Sequence, residues 1–241
     1  MAITERQEKI LEKIVKEYIH SALPVSSKLL WEKYNFGVSP ATLRIEMQKL
    51  TDQGFLYQPH TSAGRIPTDK GYRFFVDSLC KKECSFFTEE KQSKILREIE
   101  REMENAVKLI QVASRVIADH SSNLGLTYLV EEDLLWKEGW RRVLSEPEFQ
   151  GKEITLEFIK MIERFEKHIK EIVAQASGEP KVYIGKENPV FKSSDFSIIT
   201  ARFTCTELGC EGMFAILGPK RMNYNKNISL INLLTHSLQE N

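Results

Sequence analysis

Apolar residues recur at intervals of three or four positions through the start of the chain, which is the spacing of amphipathic helices. The first such run covers residues 5 to 21, and Thr4 with Gln7 forms a possible capping box at its beginning. A shorter run follows, and either Ser26 or Ser27 is suited to cap it. The pattern therefore predicts two consecutive helices.

A third helix is predicted to begin at Pro40, because Ser39 is a good N-cap and proline suits the first helical position. Gly54 marks its end, since glycine readily adopts the left-handed backbone that closes a helix. An extended run from Phe55 to Gln58 follows, and the tip from His60 to Arg65 is expected to expose small hydroxyl groups and one guanidinium. Three helices, a strand and a hairpin tip predict a winged helix-turn-helix.

The third helix has two different faces. Leu43, Met47 and Leu50 recur at helical spacing and are expected to face a core. The remaining positions form an outer face that is polar with one apolar exception. The residues of this outer face are Thr42, Arg44, Ile45, Gln48 and Lys49.

Two later segments have helical spacing over a greater length. The first is predicted as one long helix from Thr88 to about His120, and the second runs from Glu153 to Ala176 and stops at Gly178. Each carries an apolar seam that either packs on its own domain or forms a dimer contact of the coiled-coil kind. The seam residues are Ile95, Ile99, Met103, Ala106, Ile110, Ala113 and Ile117 in the first segment, and Phe158, Ile162, Phe165, Ile169 and Ile172 in the second.

The end of the chain alternates between strand and helix patterns, whereas residues 121 to 151 predict no clear element. The fold class is therefore expected to be α+β, with long helices and a mixed domain after the winged helix. We expect a winged-helix domain over residues 1–82, closed by a helix that Thr68 caps, and a second domain over residues 83–241. The strand candidates are Lys181 to Ile184, Phe196 to Phe203 and Glu211 to Leu217, and the tail from Asn227 to Leu238 is predicted as a helix.

The net charge of the whole chain is +0, which by itself favours no polyanionic partner. Residues 1–82 nevertheless contain thirteen Lys or Arg against nine Asp or Glu, so the positive excess lies with the predicted winged helix. No segment has the length of apolar sequence that a membrane span needs, and the N-terminus has no apolar signal-peptide core. The sequence predicts a cytoplasmic protein with no membrane partner.

Chemistry of other kinds has little support. The cysteines at 80, 84, 205 and 210 form C-x3-C and C-x4-C pairs without a matching histidine pattern, so buried or idle thiols are expected rather than a metal site. The five histidines are scattered, and no glycine-rich phosphate loop is present. We expect no catalytic residue, no cofactor and no enzymatic activity.

The outer face of the third helix has the side chains that read base edges in a major groove. Arg44 could pair with guanine, Gln48 with adenine, and Ile45 could contact a thymine methyl group. In the tip, hydroxyl groups can donate to phosphates, and Arg65 is expected to contact phosphate or a narrow minor groove. The alternative is a protein-binding module of the same fold, whose outer face is merely solvated. The candidate DNA-binding residues are Ser39, Thr42, Arg44, Ile45, Gln48, Lys49, His60, Thr61, Ser62 and Arg65.

The segment SPATLRIEMQKLTDQGFLYQPHTSAGRIPTDKGYRFFVD, residues 39 to 77, closely resembles the N-terminal domain of the bacterial heat-inducible transcription repressor family HrcA. Its most specific part is PHTSAGRIPTDKGYR, from Pro59 to Arg73. Three later blocks occur in the order that the family shows. These are LSEPEF at 144 to 149, VYIGKEN at 182 to 188 and GPKRMNY at 218 to 224.

The resemblance implies a homodimeric repressor that binds an inverted-repeat operator of double-stranded DNA, the CIRCE element, ahead of chaperone operons. It also implies that a GroEL-type chaperonin keeps the repressor active. The implied architecture is a winged helix followed by a GAF-like domain with an inserted dimerising domain. This chain is shorter than family members in that middle region. The missing residues are expected between about Ser122 and Lys137. The recognition helix reads ATLRIE where the family usually has ATIRND, so the chain differs at Ile45 and Glu46. With the insert missing or reduced, the two helical seams become candidates for the dimer contact.

Overall fold

The computed structural model describes residues 3–80, 85–101, 105–188 and 193–239. The chain divides into two compact units, Met1–Glu83 and Cys84–Asn241. Both contain helices and antiparallel strands, so the fold class is α+β, as the sequence predicts. Within the described ranges, no helix is both long enough and apolar enough to cross a membrane.

The first unit has the predicted order of helices and hairpin. The capping box of Thr4 and Gln7 is present, Ser26 caps the second helix, and Ser39 caps the third with Pro40 in its first turn. The elements are α1 Glu5–Ser21, α2 Ser27–Lys33, α3 Pro40–Asp52, β1 Leu56–Tyr57, β2 Ile66–Pro67 and α4 Asp69–Cys80.

The inner face of α3 lies in the core of this unit, as its spacing predicts. Leu43 and Leu50 are fully buried and Met47 is nearly so. Burying a leucine side chain of this kind stabilises a fold by about 1.5–3 kcal/mol. Gly54, directly after the helix, has a φ of +78°, which side chains other than glycine rarely adopt. The orientation of α3 is therefore fixed by its core side chains and by the turn that ends it.

The second unit is built on a five-stranded antiparallel sheet with the strand order β4-β3-β7-β6-β5. The two longest strands, β6 and β7, pair along their whole length, from Phe196 opposite Pro219 to Cys205 opposite Cys210. The elements are α5 Glu89–Glu100, α6 Ala106–Ser121, β3 Leu124–Leu129, β4 Leu134–Glu138, α7 Trp140–Val143, a 3-10 turn Pro147–Gln150, α8 Lys152–Lys167, α9 Ile169–Gln175, β5 Lys181–Ile184, a 3-10 turn Gly185–Glu187, β6 Phe196–Cys205, β7 Cys210–Pro219 and α10 Tyr224–Gln239.

Helices cover both faces of this sheet. On one face, Leu126 and Tyr128 of β3 pack with Phe158 and Phe165 of α8 in a single core cluster. Because neighbouring residues of a strand point to opposite faces, Thr127 points to the other side. There the hydroxyl of Ser114 on α6 donates to Thr127 Oγ1 over 2.8 Å. The sheet is therefore the middle of three layers.

The predicted helix from Thr88 to His120 is wrong as a single helix. The first part ends at Glu100, and Asn105 has an extended backbone with φ −145° and ψ 119° before α6 begins. The Asn105 side chain accepts hydrogen bonds from the backbone of Val107 and Lys108, so it caps a separate helix. Met103 of the predicted seam lies outside the described residues.

The predicted helix from Glu153 to Ala176 is also divided. His168 has φ −110° and ψ 19° and separates α8 from α9, and the second piece ends at Gln175 before an extended Ala176. Gly178 therefore does not end this helix. The helical spacing continued across the break because both pieces face the same side of the sheet.

The expectation that these seams form a dimer contact is wrong. In the first segment, Ile95, Ile110 and Ile117 are fully buried within this single chain. In the second, Phe158 and Phe165 belong to the core cluster against the sheet. Their apolar surface is already covered, which confirms the alternative interpretation of helices packed on their own domain.

Residues 124 to 138, close to the expected loss in the middle of the chain, form strands β3 and β4. The two strands pair from Gly125 opposite Glu138 to Leu129 opposite Leu134, and β3 also pairs with β7. This part of the chain therefore supplies a hairpin to the sheet. The sequence predicts no clear element over residues 121 to 151, because Gly125, Gly139 and Gly151 interrupt the apolar pattern.

Two of the sequence blocks that resemble the repressor family meet in the second unit. Arg221, from GPKRMNY, donates to Glu148 over 2.6 Å through Nε and to Glu146 over 2.6 Å through Nη2, and both glutamates come from LSEPEF. The Arg221 side chain is 11% exposed. Burial alone would lower the pKa of Arg221, but the two carboxylates raise it above its ordinary value. This charge cluster joins the turn before α10 to the segment before α8.

We expect Arg221→Ala to lower the free energy of unfolding by about 3 kcal/mol, because it leaves two partly buried carboxylates unpaired. Urea unfolding followed by tryptophan emission, to which Trp140 at the core cluster contributes, measures the change. Lys170→Ala is the matched control. It breaks the ion pair with Asp133, in which the Lys170 side chain is 72% exposed and the Asp133 side chain is 57% exposed. The substitution should lower the free energy of unfolding by less than about 1 kcal/mol. Equal losses in the two variants would contradict a structural role for Arg221.

Candidate nucleic-acid interface

The outer face of α3 lies at the surface of the first unit. Arg44, Gln48 and Lys49 are exposed, Ile45 is 57% exposed, and Thr42 is half-buried. A single exposed isoleucine is common on protein surfaces, so Ile45 is informative only together with the polar side chains around it. These side chains form one continuous polar strip with an apolar residue near its middle.

At the start of this strip, two hydroxyl groups belong to the helix cap. Ser39 Oγ accepts a hydrogen bond of 3.2 Å from the Thr42 backbone and lies 3.1 Å from Thr42 Oγ1. The Ser39 hydroxyl is therefore used first to begin the helix. Thr42 lies in the first turn of α3, and its hydroxyl contacts the hydroxyl of Ser39.

Arg44 is the exposed cation of this face without an internal acceptor. Among the described residues it makes no hydrogen bond or ion pair. Burial, and then the positive charge of Arg44, lower the pKa of Arg65, so the two guanidinium groups interact. A guanidinium that faces a like charge and has no carboxylate of its own is suited to bind an external acceptor.

Lys49 is instead paired, and its partner faces inward. Lys49 Nζ lies 3.0 Å from Glu46 Oε1, while Gln7 of α1 donates to Glu46 Oε2 over 2.8 Å. The Glu46 side chain is 12% exposed. The hydrogen bond from Lys49, and then that from Gln7, hold the pKa of Glu46 below its ordinary value against the effect of burial. Glu46 therefore ties α1 to α3.

The tip of the hairpin between β1 and β2 is organised by Gln58. Its Nε2 donates to the carbonyl oxygens of Thr61 and Ala63, both over 2.9 Å. His60 Nδ1 lies 3.1 Å from Ser62 Oγ across the turn. His60, Thr61 and Ser62 are all exposed, as the sequence predicts.

The expected exposure of Arg65 is wrong, because Arg65 is 8% exposed. Its backbone forms an antiparallel bridge with Val25, with hydrogen bonds of 2.9 Å and 2.8 Å. Its guanidinium donates from Nε to Thr51 Oγ1 over 3.0 Å and from Nη2 to Gln48 Oε1 over 2.8 Å. Arg65 thus points back to α3 rather than out of the tip.

Gly64 makes this turn of the chain possible. A Cβ atom at Gly64 would lie 2.4 Å from the carbonyl carbon and oxygen of Val25, a distance that real side chains do not reach. Any other residue would push the hairpin away from the segment before α2. The backbone bridge at Arg65 therefore depends on glycine at position 64.

Three residues that hold this surface together were not among the predicted site residues: Gln58, Thr51 and Asp52. Asp52 accepts from Gln48 Nε2 over 2.8 Å, and Thr51 accepts from Arg65 while its hydroxyl donates to Met47 O over 2.9 Å. The Gln48 and Asp52 pair has the i, i+4 spacing of neighbours on a helix, which the sequence could have supplied. Gln58 contacts the hairpin tip and Arg65 contacts α3 from the hairpin, and neither set of contacts leaves a periodic signal.

The two cysteines whose side chains the structure describes offer no second site. Cys205 and Cys210 are free, buried and opposite each other in the sheet, and burial, followed by Cys205, raises the pKa of the Cys210 thiol to about 11. A thiol with this pKa is protonated at neutral pH and reacts slowly. The Cys80 side chain and Cys84 lie outside the described residues. In the described part of the chain, no group of three or more Cys, His, Asp or Glu could hold a metal ion.

We expect Glu46→Gln to lower the free energy of unfolding at pH 7 by about 1 kcal/mol, because the charged hydrogen bond from Lys49 is lost. The pKa of Glu46 is lower in the folded protein than its ordinary value, so its contribution is present above the ordinary pKa of a glutamate and is lost as the pH falls through the folded-state pKa. Urea unfolding at a series of pH values should show the native protein and the variant converging in acid. Glu32→Gln, which removes an exposed carboxylate 3.8 Å from Lys28, is the control and should follow the native profile. A difference in the free energy of unfolding between native protein and Glu46→Gln that persists at pH values below the folded-state pKa would contradict the role of Glu46.

The chain is similar to curated proteins along its whole length. It is 28% identical to the "Heat-inducible transcription repressor HrcA" of Natranaerobius thermophilus over 336 residues, covering 99% of this chain and 96% of that protein. It is 27% identical to the protein of the same name from Acetivibrio thermocellus over 341 residues, covering 100% and 96%. These alignments are longer than the 241 residues of this chain, so the relatives contain internal residues that this chain lacks.

A solved structure described as a hypothetical protein has the same fold. Its TM-score is 0.76 at 20% sequence identity, and 99% of each chain is covered. The family model "HrcA protein C terminal domain" matches residues 76–228, which is more than half of the chain. With the winged-helix order of elements before that region and full-length similarity to curated relatives, this chain belongs to the HrcA family.

Proposed function

We propose that this protein is a transcriptional repressor of heat-shock chaperone operons, which binds an inverted-repeat operator of the CIRCE type as a homodimer. In this proposal residues 1–82 bind DNA and residues 83–241 carry dimerisation. The similar proteins from N. thermophilus and A. thermocellus are named heat-inducible transcription repressors, which supports the regulatory role. A GroEL-type chaperonin as a further partner is a prediction that rests on the resemblance to the family.

The observation that carries the DNA proposal is the unpaired guanidinium of Arg44 beside the exposed Ile45. A recognition helix needs hydrogen-bond donors and small apolar groups that reach base edges in the major groove. Arg44 can donate twice to a guanine, and Ile45 can contact a thymine methyl group. Neither side chain contributes to the core of the unit, since both are exposed.

Groups at the hairpin tip and along α3 and its cap can position such a helix on the duplex. Phosphate contacts fix the register of a protein on the duplex, and hydroxyl, imidazole and ammonium groups can all make them. The tip residues are exposed next to a turn that Gln58 keeps in one shape. We assign positioning contacts to Ser39, Thr42, Lys49, His60, Thr61 and Ser62.

We expect Arg44→Ala to lower the discrimination between operator and scrambled duplex by about 1 to 3 kcal/mol. Affinities for both duplexes at near-physiological salt, measured by gel shift or fluorescence anisotropy, give the difference. Arg97→Ala removes the same charge from an exposed position of α5 and serves as the control, with no expected change in discrimination. An equal loss on both duplexes would refute a base-reading role for Arg44.

An inverted repeat also demands a two-fold dimer, because two recognition helices must enter major grooves about 34–36 Å apart or a multiple of that distance. We therefore expect sedimentation at micromolar concentration to give a mass about twice the 27.9 kDa of one chain, with or without operator DNA. A species of one chain under both conditions would contradict the proposed assembly. The dimer contact must use surface other than the two apolar seams, which are buried within each chain.

The competing function is a winged-helix module that binds another protein. Exposed apolar side chains on the first unit favour it, with Leu23 at 67%, Trp31 at 53% and Tyr57 at 46% exposure. Such residues are common at protein interfaces. A gel shift on an inverted-repeat operator separates the two functions, since a protein-binding module would show no preference for operator over scrambled DNA at near-physiological salt.

A further inference from the structure

Gln48 is exposed on the outer face of α3, yet its amide is held from two sides. Arg65 Nη2 donates to Gln48 Oε1 over 2.8 Å, and Gln48 Nε2 donates to Asp52 Oδ1 over 2.8 Å. A glutamine amide can usually turn over at little cost, because its oxygen and nitrogen have nearly the same size and shape. Here the two neighbours are chemically different, and this removes the freedom.

Arg65 and Asp52 together fix which end of the amide points where. A guanidinium has donors and no acceptor, so it can face Oε1 and cannot face Nε2. A carboxylate has acceptors and no donor, so it can face Nε2 and cannot face Oε1. Turning the amide over would break both hydrogen bonds and set like groups against each other.

The held amide still has the groups that a base edge requires. The oxygen has a second lone pair and the nitrogen has a second N–H, and each is used once by its protein partner. An adenine in the major groove presents an N6 donor and an N7 acceptor, which match one amide oxygen and one amide N–H. A fixed amide presents these two groups in one order and not in the reverse order.

Arg65 itself is well placed to hold Gln48 and poorly placed to contact DNA. It is 8% exposed, its Nε is bonded to Thr51, and its backbone is bridged to Val25. Because the hydrogen bond from this side chain already orders the Gln48 amide, Gln48 loses less side-chain entropy when it binds a base.

We propose that Arg65, with Asp52, is a positioning residue that sets the reading direction of Gln48, and that it determines specificity at one base pair without contacting DNA. This inference rests on the proposed function. It also replaces the phosphate or minor-groove contact expected for Arg65 from the sequence.

The test uses the full chain and a duplex that the native protein selects from a library of randomised inverted repeats. A panel of duplexes then changes each base pair of one half-site in turn, and Gln48→Ala identifies the base pair that Gln48 reads. Arg65→Met, which keeps an unbranched apolar stem and removes the donors, should lower discrimination at that same base pair by on the order of tenfold. Discrimination at the other positions and the dependence of affinity on salt should stay as in the native protein.

Four further variants make the result specific. Asp52→Ala should lower discrimination at the same base pair, whereas Thr51→Val, which removes the other partner of Arg65, should leave it in place. In the Gln48→Ala background, Arg65→Met should have no further effect at that position, since the two residues act in series. Arg65→Lys, which can still donate to Oε1, should recover part of the discrimination and serves if Arg65→Met unfolds.

Arg65→Met that weakens binding to every duplex equally and reduces the salt slope by about one would overturn the inference, because that result belongs to a phosphate contact. Discrimination lost in Gln48→Ala but kept in both Arg65→Met and Arg65→Lys would overturn it as well.

A measurement without DNA keeps the inference separate from the proposed function. Hydrogen exchange of the Gln48 Nε2–H group that donates to Asp52, followed by NMR in the free protein, should be up to about tenfold faster in Arg65→Met than in the native chain, because release of Oε1 lets the amide turn away from Asp52. Equal exchange rates would overturn the positioning role even if the native chain binds its operator. A native chain that prefers no duplex, with the exchange difference present, would refute the proposed function and the specificity role while leaving the held amide established.

Discussion

The backbone pairing of Arg65 with Val25 is the constraint on which the surface of the first unit depends. Two hydrogen bonds of 2.9 Å and 2.8 Å join the base of the hairpin to the segment before α2, and Gly64 allows the two backbones to approach. With its backbone fixed in this way, Arg65 directs its guanidinium to α3. The hairpin and α3 are thereby one unit of structure, so a change at the base of the hairpin also alters the groups on the helix.

Much of the first unit could be predicted because its signals are local. Caps, helical spacing and the glycine after α3 each depend on residues a few positions apart, and the structure confirms them at Thr4, Ser39 and Gly54. The outer position of Arg44 and Ile45 follows from the same spacing. The burial of Arg65 does not, because its partners lie 14 and 17 residues away in the chain and the residue type gives no sign of them.

The second unit shows the limit of periodicity. An apolar seam tells which face of a segment is buried, but two successive helices on the same sheet give the same seam as one long helix. Asn105 was a readable sign of the first break, since asparagine is a good N-cap, whereas His168 gives no comparable sign at the second. The cluster of Arg221 with Glu146 and Glu148 is a further case. Its partners are 73 and 75 residues apart in the chain. The sequence shows the two blocks that contain them but does not predict that they meet.

The two positions at which the recognition helix differs from its family now have different physical meanings. Glu46 faces inward and accepts hydrogen bonds from Gln7 and Lys49, so its carboxylate acts on the packing of α1 against α3. Ile45 is 57% exposed and has no role in the core. A change of side chain at an inward position alters stability and the orientation of the helix, whereas a change at an outward position alters the surface offered to a ligand. Under the proposed DNA-binding function, an operator that differs from those of the relatives is therefore expected to differ at the base pair that faces Ile45, with Lys49 restrained beside it by the inward carboxylate.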